Sequence, residues 1–187
     1  MRMQPQELTA RIVEMGAYKA ALLDVSLIHF DRKFRELCQS NACGNYGACW
    51  TCPPDAGDID TLIARAKTYQ KALVYQTVGQ LEDSFDIEGM LEAGKLHNDL
   101  AQAISRWARE AGAFGEDWLH LGAGGCRLCP VCAKRTGEPC RHPQDAMASL
   151  ETYGVAVSEL AASCGMKYIN GQNTVTYFGA VLFQDGE

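Results

Sequence analysis

The chain has 187 residues, of which 47% are hydrophobic, 21% are charged and nine are cysteines, and its formal net charge at pH 7 is −6. This length and composition predict one soluble globular domain over residues 1–187. The acidic balance, without a long basic run, argues against nucleic acid or an anionic membrane as the main partner. No apolar stretch approaches the roughly 20 residues of a membrane span.

The location of the protein follows from its first residues and its cysteines. The N-terminus, Met-Arg-Met-Gln-Pro-Gln-Glu, lacks the apolar core of a signal peptide. We therefore expect a cytoplasmic protein. Thiols are kept reduced in that compartment, so cysteines there indicate metal or redox chemistry before disulfides.

Helical and strand patterns alternate along the chain, which predicts the α/β class. The longest helix is predicted over residues 87–111, where Leu96, Leu100, Ile104 and Trp107 recur at helical spacing. The other helices are predicted near residues 5–16, 31–38, 58–69 and 153–164, and strands at 72–78, 118–121 and 175–183. The apolar residues 18–30 fit a strand that runs through Val25 and Leu27, with a continuation of the first helix as the alternative. We expect a small sheet packed with helices, whose strand order the pattern does not give.

Two cysteine-rich loops interrupt these elements, at about residues 38–57 and 123–143, and are called here the first and second cysteine loops. Gly, Asn and Pro are too dense in the first loop for regular structure. Long irregular loops inside a compact domain are usually functional. Whether the two loops come together is left open by the sequence.

The second loop carries the sequence Cys-Arg-Leu-Cys-Pro-Val-Cys-Ala-Lys-Arg-Thr-Gly-Glu-Pro-Cys. Three closely spaced thiols and a more distant fourth match the four iron corners of a [4Fe–4S] cluster; they belong to Cys126, Cys129, Cys132 and Cys140. Zinc is the alternative metal, although it more often takes two separate Cys-x2-Cys pairs. Redox-active thiols without a metal are a third reading.

The first loop holds four more thiols within 15 residues, with four, five and two residues between them. They belong to Cys38, Cys43, Cys49 and Cys52 and predict a second four-iron site. The alternative is that one or two are small buried apolar side chains. Pro53 follows Cys52, as in ferredoxin motifs in which the last thiol binds the other cluster. Cys52 could therefore bind the cluster of the second loop, or Cys140 could bind the cluster of the first loop.

The motifs Cys43-Gly-Asn-Tyr46-Gly-x2-Trp50-x-Cys52-Pro-Pro and Cys126-x2-Cys129-x2-Cys132, with Pro-Cys140-Arg later, resemble an uncharacterised family of predicted metal-binding proteins. The resemblance extends to Tyr177-Phe178-Gly179 and so covers nearly the whole chain. It implies a metal or iron–sulfur site of unknown purpose and an origin in anaerobic bacteria or archaea. The resemblance implies seven cysteine ligands for this site, which are Cys38, Cys43, Cys52, Cys126, Cys129, Cys132 and Cys140. The family more usually has a polar residue such as Asn where this chain has Cys49.

Several other residues are candidates for smaller roles. His142 could be a ligand, could donate a hydrogen bond to cluster sulfur, or could be an exposed loop histidine. The basic residues of the second loop could offset thiolate charge, dock an acidic partner or simply be solvated; they are Arg127, Lys134, Arg135 and Arg141. Cys164, near a predicted helix end, is expected to be structural.

These observations predict an iron–sulfur protein with one or two [4Fe–4S] clusters and a protein redox partner. It would transfer electrons or assist an anaerobic enzyme. A second hypothesis is an enzyme that binds substrate at an open iron, which fits a first set of only three thiolates. A third is a binding module stabilised by zinc. The sequence does not decide whether the chain is an enzyme, nor its oligomeric state.

Overall fold

The computed structural model describes residues 3–186. Its centre is a four-stranded antiparallel sheet in the order β1-β2-β4-β3, formed by Lys19–Asp24, Lys71–Gln80, Thr174–Phe183 and Trp118–Leu121 taken in that order. The last strand lies inside the sheet, because β4 pairs with β2 on one side and with β3 on the other. The predicted α/β class, a small sheet packed with helices, is also confirmed.

The helices fall close to their predicted places. They are α1 (Pro5–Glu14), α2 (Lys33–Gln39), α3 (Ile59–Lys67), α4 (Ile87–Ala111) and α5 (Val157–Ser163). The prediction of a strand through Val25 and Leu27 is wrong, because the chain turns into a 3-10 helix at Val25–Leu27. The prediction of a helix from residue 153 is also wrong. A 3-10 turn, Glu151–Tyr153, ends at Gly154 with φ +74°, so α5 begins only at Val157.

Side chains of the sheet point alternately into two cores. One core packs β2 residues such as Leu73 and Tyr75 against α1 and α4, with Ile12 and Ile104 as buried members. The other core packs the opposite faces of the same strands against α3 and α5. Helices therefore cover both faces of the sheet, which explains why β2 and β4 are apolar on both sides. Within the described residues, no helix is both long and apolar enough to cross a membrane.

Helix caps and strand ends fix where the cysteine loops start. The first loop lies between α2 and α3, and the Asp58 carboxylate accepts the Thr61 N–H to begin α3. The second loop leaves β3 through Gly122, which is held in place because Gly122 N–H donates to Ala148 O and its own carbonyl accepts Leu150 N–H. Both loops are thus anchored to regular structure at each end.

Candidate metal centre

The two cysteine loops come together, and a lysine joins them. Lys134 Nζ of the second loop lies 2.6 Å from Asp55 Oδ1 of the first. The same ammonium group lies 4.5 Å from the centre of the Trp50 ring, a cation–π distance. Both side chains of the ion pair are largely shielded, with 26% and 17% exposed. The question that the sequence left open is therefore answered in favour of contact.

Hydrogen bonds from side chains to backbone carbonyls extend this interface between the loops. Trp50 Nε1 donates to Glu138 O at 3.0 Å, and Arg135 donates to Gly44 O at 3.4 Å. A Cβ added at Gly125 would lie 2.8 Å from the side-chain nitrogen Nδ2 of Asn45, so the glycine leaves room for this side chain of the first loop. These contacts thus hold the thiols of one loop near those of the other.

The second set of cysteines shares one cavity. A small cavity is lined by all four of its thiol-bearing residues, Cys126, Cys129, Cys132 and Cys140, together with Leu128, Ala133, Arg141 and His142. All four cysteines are partly buried. The 3-10 turn Ala133–Thr136, which follows Cys132, ends at Gly137 with φ +73° and allows the chain to return to Cys140. The spacing of the thiols in the sequence is therefore matched by their common surroundings.

The first set is more varied in exposure. Cys49 and Cys52 are buried, Cys38 is partly buried at the end of α2, and Cys43 is exposed. Interaction with the Cys49 sulfur is the main cause that raises the pKa of Cys52. Burial and the negative charges of Cys49, Cys43 and Cys38 raise it further. The other three thiols of this loop therefore lie within electrostatic range of Cys52.

Cys49 is the point at which the two sets meet. Its sulfur interacts with Cys52, lies 3.3 Å from Thr51 Oγ1 and accepts the backbone N–H of Cys126. These interactions, led by that with Cys52, lower the pKa of Cys49 to about 4 despite its burial. Cys49 also lines a cavity of about 390 Å³ with Cys126, Cys129 and Cys132. Cys49 thus lies where the two sets of thiols meet.

Donors around the sulfurs favour charged thiolates. The Cys126 sulfur accepts the backbone N–H groups of Leu128 and Met147, although burial raises the Cys126 pKa overall. The Arg141 guanidinium hydrogen-bonds to the Cys129 sulfur. Hydrogen bonds of this kind stabilise metal-bound thiolates and adjust the potential of a cluster. Of the basic residues in this loop, Arg141 contacts a thiol directly and Lys134 is engaged by Asp55 and Trp50.

Arg127 points elsewhere: its guanidinium packs against α4, where a Cβ added at Gly94 would lie 2.5 Å from Arg127 Nη1. His142 lines the small cavity beside Cys140. Cys164 lies away from both loops and packs against the core, where burial raises its pKa to about 11. His120 is buried with both ring nitrogens in hydrogen bonds.

The described residues do not contain three or more His, Cys, Asp or Glu side chains already gathered closely enough for a single metal ion. The fold and these loops define an α/β protein with a thiol-rich centre between two loops. Residues 21–183 match the model of the family described as predicted metal-binding protein (DUF2284), and the chain belongs to that family. No curated protein and no solved structure matches the chain.

Proposed function

We propose that this protein binds [4Fe–4S] clusters at the thiol centre and transfers electrons to or from a protein redox partner in the cytoplasm. The observation that carries the proposal is the shared cavity of Cys126, Cys129, Cys132 and Cys140. Four thiolates provide one ligand for each iron of a cubane. Membership of a family described as predicted metal-binding proteins supports the binding of a metal.

The chemistry of the donor set fits such a cluster. The eight cysteines of the two loops supply thiolates, the usual ligands of iron–sulfur clusters, and they interact with backbone N–H groups and with Arg141. In the proposal, Cys38, Cys43, Cys49 and Cys52 hold a second cluster. The contact between Cys49 and the Cys126 backbone would make the two clusters neighbours, an arrangement suited to passing electrons.

The decisive experiment measures iron, acid-labile sulfide and zinc per chain in protein purified without oxygen. We expect about eight irons and eight sulfides, and a broad absorbance near 400 nm that dithionite bleaches. Cys129→Ser should lose about half of the iron, whereas the matched control Cys164→Ser should retain all of it. Stoichiometric zinc in colourless protein would overturn the proposal and leave a structural metal module.

A second candidate function is an enzyme whose cluster binds substrate at an iron without a thiolate ligand. The observation that favours it is the cavity of about 390 Å³ beside Cys49, Cys126, Cys129 and Cys132, because a small molecule could reach the centre from there. An open iron would act as a Lewis acid. A candidate substrate should then change the electron paramagnetic resonance spectrum of the reduced protein. A spectrum unchanged by a broad panel of substrates would rule against it.

A further inference from the structure

A larger cavity, of about 570 Å³, lies next to the thiol centre between α4, β3 and residues 143–148. Two of its lining residues also contact thiols. Thr51 Oγ1 lies 3.3 Å from Cys49 Sγ, and the Met147 backbone N–H is close enough to the Cys126 sulfur to lower the pKa of that thiol. A molecule bound in this cavity would therefore be separated from the thiols of both loops by a single residue.

The inner wall of the cavity is polar, although it adjoins the core. His120 and Ser105 line it, and His120 Nδ1 lies 2.7 Å from Ser105 Oγ. The other ring nitrogen, Nε2, lies 2.8 Å from the hydroxyl of Tyr75, which is fully buried. Buried polar groups are costly unless they form networks of this kind. The network gives the cavity fixed hydrogen-bonding groups where an ordinary core would be apolar.

The outer wall is held in place by hydrogen bonds. Asp145 is fixed twice: its carbonyl accepts Gln102 Nε2 at 2.8 Å, and its carboxylate pairs with Arg109 at 2.9 Å. At the end of residues 143–148, the Ala148 carbonyl accepts the Gly122 N–H at 2.8 Å. Binding sites for small molecules are usually formed in advance in this way.

The charges on the wall indicate what the cavity would accept. Arg109 is neutralised by Asp145, but Arg65 forms no ion pair with any carboxylate of the described residues. Arg65 is instead oriented by a hydrogen bond of 3.3 Å to the Tyr153 hydroxyl. A guanidinium group binds a carboxylate or phosphate through two parallel hydrogen bonds. Glu116 on the same wall disfavours a second anionic group on the ligand.

We propose that this cavity binds a small molecule with one carboxylate or phosphate group, held by Arg65, and with a neutral or cationic remainder. The volume is within the usual range for small-molecule sites. The bound molecule would lie beside the thiol centre, where Thr51 and Met147 separate it from the sulfurs. This inference goes beyond electron transfer and does not depend on which metal the centre holds.

Isothermal titration calorimetry tests the proposal on protein purified without oxygen with its own metal. Acetate, free glycine and inorganic phosphate serve as separate probes, so that the carboxylate and phosphate arms are distinguished. We expect at least one probe to bind, Arg65→Gln to weaken that binding at least tenfold, and Arg65→Lys to retain part of it. Arg106→Gln, an exposed arginine of α4 outside the cavity lining, is the matched control and should bind as the wild type does.

Two results would overturn the proposal: none of the probes binds to the wild type, or Arg65→Gln binds as tightly as Arg106→Gln. Metal content is measured on the same samples. If Arg65→Gln keeps its full metal content and no longer binds the probe, the result supports binding in the cavity and not at the thiol centre. Zinc in place of iron would remove the proposed electron transfer and leave the binding result intact, so the two failures are distinguishable.

Discussion

Lys134 offers the sharpest test of how the cysteine loops are held together. Replacing it with Met removes the ion pair to Asp55 and the cation–π contact with Trp50. Asp55 Oδ2 is already buried without a hydrogen bond in the described structure, so the variant leaves the whole carboxylate unpaired. Breaking a fully buried pair costs about 3–5 kcal/mol.

Partial exposure of both side chains reduces that cost to about 2 kcal/mol. Loss of the cation–π contact adds about 1 kcal/mol. We therefore expect Lys134→Met to lower the free energy of unfolding by about 3 kcal/mol. The same energy corresponds to about a hundredfold increase in the population with the loops apart. Urea unfolding measures the first quantity, and the rate of iron loss to a chelator measures the second if release requires separation of the loops.

The control is Arg135→Gln, because the neighbouring arginine makes only a contact of 3.4 Å from an exposed position. It should cost less than about 0.5 kcal/mol. Combining Lys134→Met with Asp55→Asn should recover part of the loss, since the carboxylate charge is then no longer stranded. Equal stability of the Lys134 and Arg135 variants, or strict additivity in the double variant, would refute this account of the interface.

Two further predictions concern the core behind the site. Gly179→Ala should lower stability by about 1–3 kcal/mol, because the new Cβ would overlap the buried Tyr75 ring; urea unfolding checks this, and the cost should largely vanish in a Tyr75→Val background. His120 should make the protein less stable in acid, because burial lowers its pKa to about 3 from the ordinary histidine value of 6.5. Between pH 6.5 and about 3, the His120 ring is protonated in the unfolded chain but stays neutral in the folded protein. The free energy of unfolding therefore falls by up to about 1.4 kcal/mol for each pH unit as the pH is lowered through this range. In urea unfolding across this range, His120→Gln should show a shallower loss than the wild type, and identical slopes would contradict the prediction.

Elements with strong local signals were predictable from the sequence. The bounds of α4, Ile87–Ala111, follow from its long apolar period, the Asp86 cap and the left-handed Gly112 at its end. The strand Trp118–Leu121 was also predicted with its observed bounds. In both cases neighbouring residues decide the conformation, so one stretch of sequence is sufficient.

Features that depend on distant residues were not predictable. The strand order and the antiparallel pairing of β2 with β4 join segments about a hundred residues apart. The contact of Lys134 with Asp55 and Trp50 likewise joins residues that lie about 80 positions apart in the chain. The hydrogen bonds of His120 gave no sequence signal, because Tyr75 and Ser105 lie on other elements. The cysteines themselves were visible as two sets, whereas the meeting of the sets at Cys49 was not.

The place of β4 in the sheet has a consequence for how the protein is made. Within the described sheet, β3 pairs with β4, and β4 follows every other strand in the chain. While a ribosome is still adding residues 174–183, β3 lacks the strand with which it pairs, so the sheet does not yet hold the start of the second cysteine loop. We therefore expect Cys126, Cys129 and Cys132 to remain open to solvent and oxidants on the nascent chain. Delivery of metal to this loop would then follow translation, on a chain whose last strand has already been inserted.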